Sequence, residues 1–303
     1  MKILITGGTG LIGSAFMRAF TQEDFTCLTR SPESAKRLLP PNVKLLSSLS
    51  QLANLDEFDA VINLAGEGLF AKRWSEQQKT EICQSRWEIT EQLVNLFAQS
   101  KNPPKVFLSG SAIGVYGNNG AHSLSEDSLL TKDDFSAQLC QRWEQIALTA
   151  SAYTRVVLLR TGIVLSPQGG ALAQMLPAFR FGCGGRMGDG EQFMSWIHYQ
   201  DHINTMHYLL HQQDIAGAVN LVAPIPVTNR VFTQTLARTL NRPALLPLPK
   251  QLLKLLFGEA ACLVLDSQKV VPQKLLSNGF QFQFENLAAA LVQLTATPRQ
   301  KGD

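Results

Sequence analysis

The chain has 303 residues, 45% hydrophobic and 17% charged, enough for one large core or a domain with a smaller lobe. A net charge of +3 gives no footprint for nucleic acid or an acidic membrane surface. Five scattered cysteines with no Cys-x-x-Cys exclude a zinc or disulfide framework and predict reduced thiols in the cytoplasm.

The first strand is predicted over Lys2–Thr6, which leaves no room for a secretory leader. Thr6-Gly7-Gly8-Thr9-Gly10 and Leu11-Ile12-Gly13 follow at once. Strand, glycine turn and helix in that order open a dinucleotide-binding βαβ unit, spaced here G-x-x-G-x-x-G. Gly7 turns the chain out of the strand, Gly10 admits a pyrophosphate, and Gly13 lets the first helix pack closely. The free N–H groups at a helix N-terminus then favour the anion.

Further strands are predicted at Phe25–Thr29, Val43–Leu46, Ala60–Leu64, Val106–Ser109 and Val156–Leu159. Helices are predicted at Gly10–Phe20, Ser31–Leu39, Glu76–Gln99 and Asp134–Ala150. This alternation predicts an α/β fold, a Rossmann-type doubly wound parallel sheet. Residues 1–165 form its cofactor domain, with return segments from about 196–222. Residues 166–303 form mainly a smaller C-terminal substrate lobe. Beyond Ser166 the glycines at 169, 170, 182, 184, 185, 188 and 190 predict long loops, the last of them a mobile lid. Asp201 reads as the N-cap of a helix to about Gln213, and Val219–Val222 as a strand. Ala244–Leu265 is apolar but broken by prolines and charges, so it predicts a buried helix pair and no membrane span. A helical segment at about 244–297 and a short polar tail, Pro298–Asp303, close the chain.

The second strand ends in Thr29-Arg30-Ser31, with no acid before Glu33. An NAD site places Asp or Glu there for the ribose hydroxyl; a guanidinium suits the 2′-phosphate of NADP(H). After the fourth strand, Leu64-Ala65-Gly66 is small enough for a loop to pass over the cofactor.

TGGTGLIG, NLAG and SGSAIGVYG together resemble the extended and atypical short-chain dehydrogenase/reductase superfamily. LTRSP, NLAGE, RWSEQQKTEICQSR and RTGIVLSPQGGALAQMLPAFRFGCGGRMGDGEQFMSWIHYQDHI narrow this to the YfcH-type epimerase family. RPALLPLP and LFGEAACLVLDSQKVVPQKLLSNGFQF resemble that group's C-terminal domain of unknown function. The resemblance implies an NADP-binding protein related to nucleotide-sugar epimerases, with a possible homodimer through the two long helices. It implies cofactor contacts from Glu81 and Arg86 on the helix after NLAG. With the turn residues Gly7, Thr9, Gly10, Leu11 and Ile12, the expected cofactor set is completed by Thr29, Arg30, Leu64, Ala65, Gly66, Ser109 and Val164.

The superfamily's Ser and Tyr-x-x-x-Lys are only half present. Ser111 matches the Ser, but the Tyr and Lys slots fall on Ser136 and Cys140, or one residue earlier on Phe135 and Leu139. Tyr116 and His198 are the candidate replacement acids. Met194 falls where sugar-nucleotide epimerases carry a diphosphate-clamping arginine, so the substrate side, with Phe181, Met187, Phe193 and Trp196, predicts an apolar pocket. Two readings stay open: an NADP(H)-dependent oxidoreductase or epimerase-like enzyme on a small carbonyl or hydroxyl substrate, and a non-enzymatic NADP(H) sensor or interaction protein.

Overall fold

The computed structural model of the chain describes residues 1–70, 72–130 and 134–296; the predicted polar tail Pro298–Asp303 lies outside them. In chain order the strands are β1 (Lys2–Thr6), β2 (Asp24–Leu28), β3 (Lys44–Leu46), β4 (Ala60–Asn63), β5 (Val106–Ala112), β6 (Ser123–Leu124), β7 (Arg155–Thr161), β8 (Ile163–Leu165), β9 (Phe193–Met194), β10 (Trp196–His198), β11 (Gly217–Leu221), β12 (Val227–Thr228) and β13 (Lys269–Val270). The α-helices are α1 (Leu11–Ala19), α2 (Pro32–Leu38), α3 (Glu76–Gln99), α4 (Phe135–Leu148), α5 (Gly170–Arg180), α6 (Tyr199–His211), α7 (Asn229–Thr239), α8 (Lys250–Phe257), α9 (Cys262–Leu265), α10 (Gln273–Ser277) and α11 (Leu287–Thr295).

Seven strands form one parallel sheet in the order β11-β7-β5-β4-β1-β2-β3. The order reverses between β1 and β4, so the crevice at their carboxyl ends is the place for a ligand in such a sheet. β1 and β4 read as unbroken apolar runs because helices cover both faces of the sheet: Ile3, Leu4, Ile5, Val61 and Ile62 are fully buried. On one face α1 and α6 bury Phe16, Met17, Ile203 and Met206. On the other, α3 buries Leu93, Leu96 and Phe97.

A second core lies in the C-terminal half. Leu172, Leu176 and Phe179 of α5 meet Phe232 and Leu236 of α7, Leu291 of α11, and Trp196 and Met194. Residues beyond Ser166 are therefore more ordered than the loops the glycines predict. α5 forms in spite of Pro177, and α7 starts from a Thr228 hydroxyl that accepts from the Val231 amide. The cap of α6 is His198, whose Nδ1 accepts from the Gln200 amide at 3.0 Å, in place of Asp201. Asp201 sits in the first turn, and its carboxylate takes the backbone amides of Gln283 and Phe284, each at 2.9 Å. Ala244–Leu265 also departs from expectation. α8 buries Leu253 alone, while Leu246 and Leu256 are exposed and Leu255 is 71% exposed. The apolar pattern there makes an amphipathic helix with its greasy face outward.

His202 of α6 is fully buried, with Nε2 3.1 Å from Thr161 Oγ1 and Nδ1 without a partner among the described residues. Burial pushes its pKa from 6.5 down to about 3. The folded protein keeps this ring neutral while the unfolded chain protonates it below pH 6.5. Its contribution is therefore complete above that pH and is lost as pH falls from there toward 3, with a slope approaching ~1.4 kcal/mol per unit. Urea unfolding at successive pH values should show that slope, and His202→Gln should make it shallower.

Candidate functional site

The site is built at the carboxyl ends of β1, β4 and β5. Gly7 has φ +67°, and a Cβ there would lie 2.4 Å from the Leu64 carbonyl oxygen, so glycine is required where the turn passes β4. A Cβ on Gly13 would lie 2.6 Å from Gly8 Cα, so α1 sits directly on the turn. The Gly10 amide donates to the Gly7 carbonyl at 3.0 Å. A Cβ on Gly10 would meet only that same oxygen. No side chain caps α1, so the first-turn amides at Leu11 and Ile12, beside exposed Thr9, face an open cradle.

Polar groups hold the floor. Thr6 Oγ1 donates to Asn63 Oδ1 at 2.6 Å and accepts from the Ala65 amide at 3.2 Å. Asn63 Nδ2 and Trp143 Nε1 both donate to Thr90 Oγ1, at 2.8 and 2.9 Å. Ser109 lies opposite Asn63 in the β4–β5 register and is fully buried beneath the site. The Leu64 carbonyl oxygen and the Ala65 amide nitrogen lie 2.4 and 2.8 Å from where a Cβ on Gly7 would stand, so the strand end passes directly beside the glycine turn. On the far side Leu11 packs against Gly169 and Gly170, and the Val164 carbonyl borders the same turn.

Arg86 and Glu81 part company. They lie five residues apart on α3, roughly 140° around the helix. Arg86 turns inward, its Cζ 2.8 Å from where a Cβ on Gly66 would stand and 5.4 Å from the Trp143 ring centre. It donates to the carbonyls of Ile82 (3.0 Å) and Glu67 (2.9 Å), and among the described residues no carboxylate pairs with it. Burial lowers its pKa. Glu81 faces Lys72 at 3.7 Å and accepts from Gln77, so it stands on the outer side of the helix.

At the end of β2, Thr29 is buried and its hydroxyl accepts from the Ser31 amide at 3.2 Å. Arg30 is exposed, and no partner holds its guanidinium among the described residues. Glu33 is engaged by Lys36 at 2.8 Å.

The residues of the two registers face different parts of the fold. Ser136 Cβ and Cys140 Sγ stand 3.4 and 4.0 Å from a Cβ position on Gly114, just past β5. Phe135 and Leu139 face away, into a cluster with Trp74 and Ala260. Burial pushes the Cys140 thiol up to about 12, so it stays protonated. Arg86 reaches α4 from α3, over the ring of Trp143, which stands on the same helix as Cys140.

Ser111, Tyr116 and His198 are all enclosed. Ser111 Oγ donates to Glu144 Oε1 at 2.6 Å. Glu144 is gripped by Arg160 in two bonds, Nε to Oε1 at 2.8 Å and Nη2 to Oε2 at 2.9 Å. Arg160 Nη1 donates to Tyr116 OH at 2.9 Å, and that hydroxyl donates to Asn220 Oδ1 at 2.7 Å. Burial raises the Tyr116 pKa. His198 lies on the Phe284 ring with centroids 3.8 Å apart, and its Nε2 meets Gln293 Oε1 at 2.9 Å. Burial lowers its pKa. The Glu144–Arg160 pair carries no local sequence signal as a unit: one partner is on α4 and the other on β7.

The expected apolar pocket is not assembled. Met194 and Trp196 belong to the second core, and Met194 Sδ accepts from Asn229 Nδ2 at 3.3 Å; Phe181 is 85% exposed. The glycine-rich segment is fastened along its length. The amides of Leu246 and Leu248 donate to the carbonyls of Gly184 and Arg186, and the Gly188 amide to that of Leu248, at 2.8–3.2 Å. A Cβ on Gly185 would lie 1.9 Å from the Leu246 oxygen. This corrects the lid: the glycines allow a second segment to pack on them.

Residues 3–221 match the model of the NAD dependent epimerase/dehydratase family, and residues 248–294 match a domain of unknown function. The mouse epimerase family protein SDR39U1 is 35% identical over 301 residues, 98% of this chain and 100% of that protein. The Staphylococcus haemolyticus epimerase family protein SH2119 is 36% identical over 298 residues, 97% of this chain and 98% of its own. The crystal structure of human SDR39U1 (isoform 2) with NADPH superposes with a TM-score of 0.89 at 34% identity, covering 97% of this chain and 99% of that one. A UDP-glucuronic acid 4-epimerase from Bacillus cereus shares the fold at 19% identity, with a TM-score of 0.76 and 96% of each chain covered. No helix among the described residues is long and apolar enough to cross a membrane.

Proposed function

Because the chain belongs to the NAD dependent epimerase/dehydratase family, we propose that it binds NADP(H) in the glycine turn and acts as an oxidoreductase or epimerase-like enzyme on a small carbonyl or hydroxyl compound. The observation that carries the reading is the pairing of an uncapped glycine cradle at α1 with a free guanidinium, Arg30, at the end of β2. The likeness to human SDR39U1, crystallised with NADPH, supports the same cofactor. When bound, NADP(H) supplies or accepts the hydride.

The chain's own residues divide the rest. The turn from Gly7 to Ile12 receives the pyrophosphate, and Arg30 receives the 2′-phosphate while Thr29 fixes the turn that carries it. Leu64–Gly66 and Val164 bound the cofactor on either side. Arg86 takes the electrostatic place of the missing lysine, a buried cation awaiting an anionic or hydroxyl partner. Ser111 faces the reacting oxygen. Its proton is committed to Glu144, so it accepts from a substrate hydroxyl and orients an alcohol better than a carbonyl. Tyr116 and His198 hold β7, the loop after β5 and α6 in place, and neither is assigned proton transfer.

A screen of alcohols and carbonyls followed at the NADPH absorbance tests this reading. Turnover of any substrate supports it, with Ser111→Ala lowering kcat by about 100-fold and leaving NADPH affinity unchanged. NADPH binding without turnover on any substrate favours the sensor instead. Arg86→Met should weaken NADPH and NADH alike, by about tenfold to 100-fold, because its target lies in the part common to both.

A further inference from the structure

At the opposite end of the sheet from the glycine turn, Glu23, His207 and His211 each bring one ligand atom to within 4.8 Å of the others. We propose that these three residues form a binding site for a borderline divalent transition metal, of which Zn²⁺ is the probe.

Each residue is presented by a separate structural device. His207 and His211 stand four residues apart on α6, so they share one face, with ring centroids 4.6 Å apart. Glu23 comes from the turn before β2 and is almost wholly buried, its side chain 7% exposed. Its Oε2 pairs with the Met1 amino group, which leaves Oε1 turned to His207. The Phe20 ring lies flat on His207, 4.1 Å away and 5° from parallel, and fixes that imidazole.

The decisive distance is between His207 Nε2 and Glu23 Oε1, 3.6 Å. That is too long for a hydrogen bond, and Nε2 has no other partner among the described residues. It is close to the ~3.3 Å edge of a tetrahedron whose ligands stand about 2.0–2.1 Å from zinc. His211 Nδ1 lies 2.9 Å from the His207 carbonyl, a contact that only the N–H form bonds, so its Nε2 carries the lone pair. This is how metal-bound imidazoles are fixed by a backbone oxygen. His211 also ends α6, where the helix dipole favours a cation. Two imidazoles and one carboxylate suit Zn²⁺, Ni²⁺ or Cu²⁺ and leave a position for water.

The test is calorimetric titration of Zn²⁺ into the full chain with its cysteines blocked by iodoacetamide, paired with thermal melts. One equivalent should bind and raise Tm. His211→Ala, at an exposed position that leaves the fold intact, should weaken binding about tenfold or more and abolish the Tm rise. Glu23→Gln should weaken it likewise. Absence of binding by the wild type, or a His211→Ala protein that binds Zn²⁺ as the wild type does, overturns the proposal. Neither result touches the cofactor reading, whose residues lie at the other end of the sheet.

Discussion

Replacing Glu144 by Ala should cost the fold about 3–5 kcal/mol, a large share of the ~5–15 kcal/mol that holds a protein of ordinary stability together. Glu144 and Arg160 are each 5% exposed, and the two bonds between them are short and parallel. Burial alone would lower the Arg160 pKa, but the Glu144 carboxylate beside it raises it instead. Without that carboxylate the guanidinium stays buried against the neutral Tyr116 hydroxyl and the Glu126 carbonyl. Ser111 loses its acceptor as well. The damage spreads, because Tyr116 passes the network to Asn220, and Asn220 Nδ2 donates to the Val271 carbonyl in the C-terminal segment at 3.0 Å. Urea unfolding should show a lower midpoint with an unchanged m-value. Exchanging both partners for apolar residues, Glu144→Leu with Arg160→Met, should recover most of the loss, since the cost comes from an unpaired buried charge. A double variant as unstable as Glu144→Ala would show that the network matters for more than charge balance.

Arg30→Ala should weaken NADPH by about tenfold to 100-fold, the worth of ~1.5–3 kcal/mol for a hydrogen bond to a charged group, and leave NADH unchanged. The neighbourhood gives the phosphate no rival for Arg30 and the ribose hydroxyl no acid. Glu33 is held by Lys36, and the Thr29 hydroxyl is turned back to the Ser31 amide. An exposed guanidinium acting on a dianion is also screened by salt, so the NADPH preference of the wild type should shrink as ionic strength rises. Parallel titrations of wild type and variant with both cofactors check this. An unchanged NADPH-to-NADH ratio in the variant would remove Arg30 from recognition.

The parts of this molecule that were legible in the sequence are those whose cause is local. The glycine turn is written in consecutive residues. The Asp134 cap, with its carboxylate accepting from the Ala137 amide, and the bounds of α3 follow from short-range signals. What was not legible depends on residues distant in the chain. α5 and α7 form because each has an apolar face to bury in the second core, which overrides the glycines and Pro177. The leucines of α8 show that a helix is amphipathic, and composition says nothing of which side the fold covers. Asp201 reads as the cap of α6 by residue type, but residues 283 and 284 claim its carboxylate and His198, three residues earlier, caps the helix instead. Counting leaves two registers for the Tyr and Lys slots, and no count reveals that Ser136 and Cys140 face Gly114 while Phe135 and Leu139 join the cluster with Trp74. The two histidines of α6 are visible at helical spacing, whereas Glu23 joins them only in the folded chain.

The central claim is that the turn from Gly7 to Ile12 and Arg30 together bind NADP(H), and calorimetric titration of the wild-type protein with NADPH and NADH tests it most directly. The account predicts one site per chain and an NADPH affinity at least about tenfold above that for NADH. Equal affinity for the two would contradict the role of Arg30, and binding of neither would contradict the cofactor site as a whole.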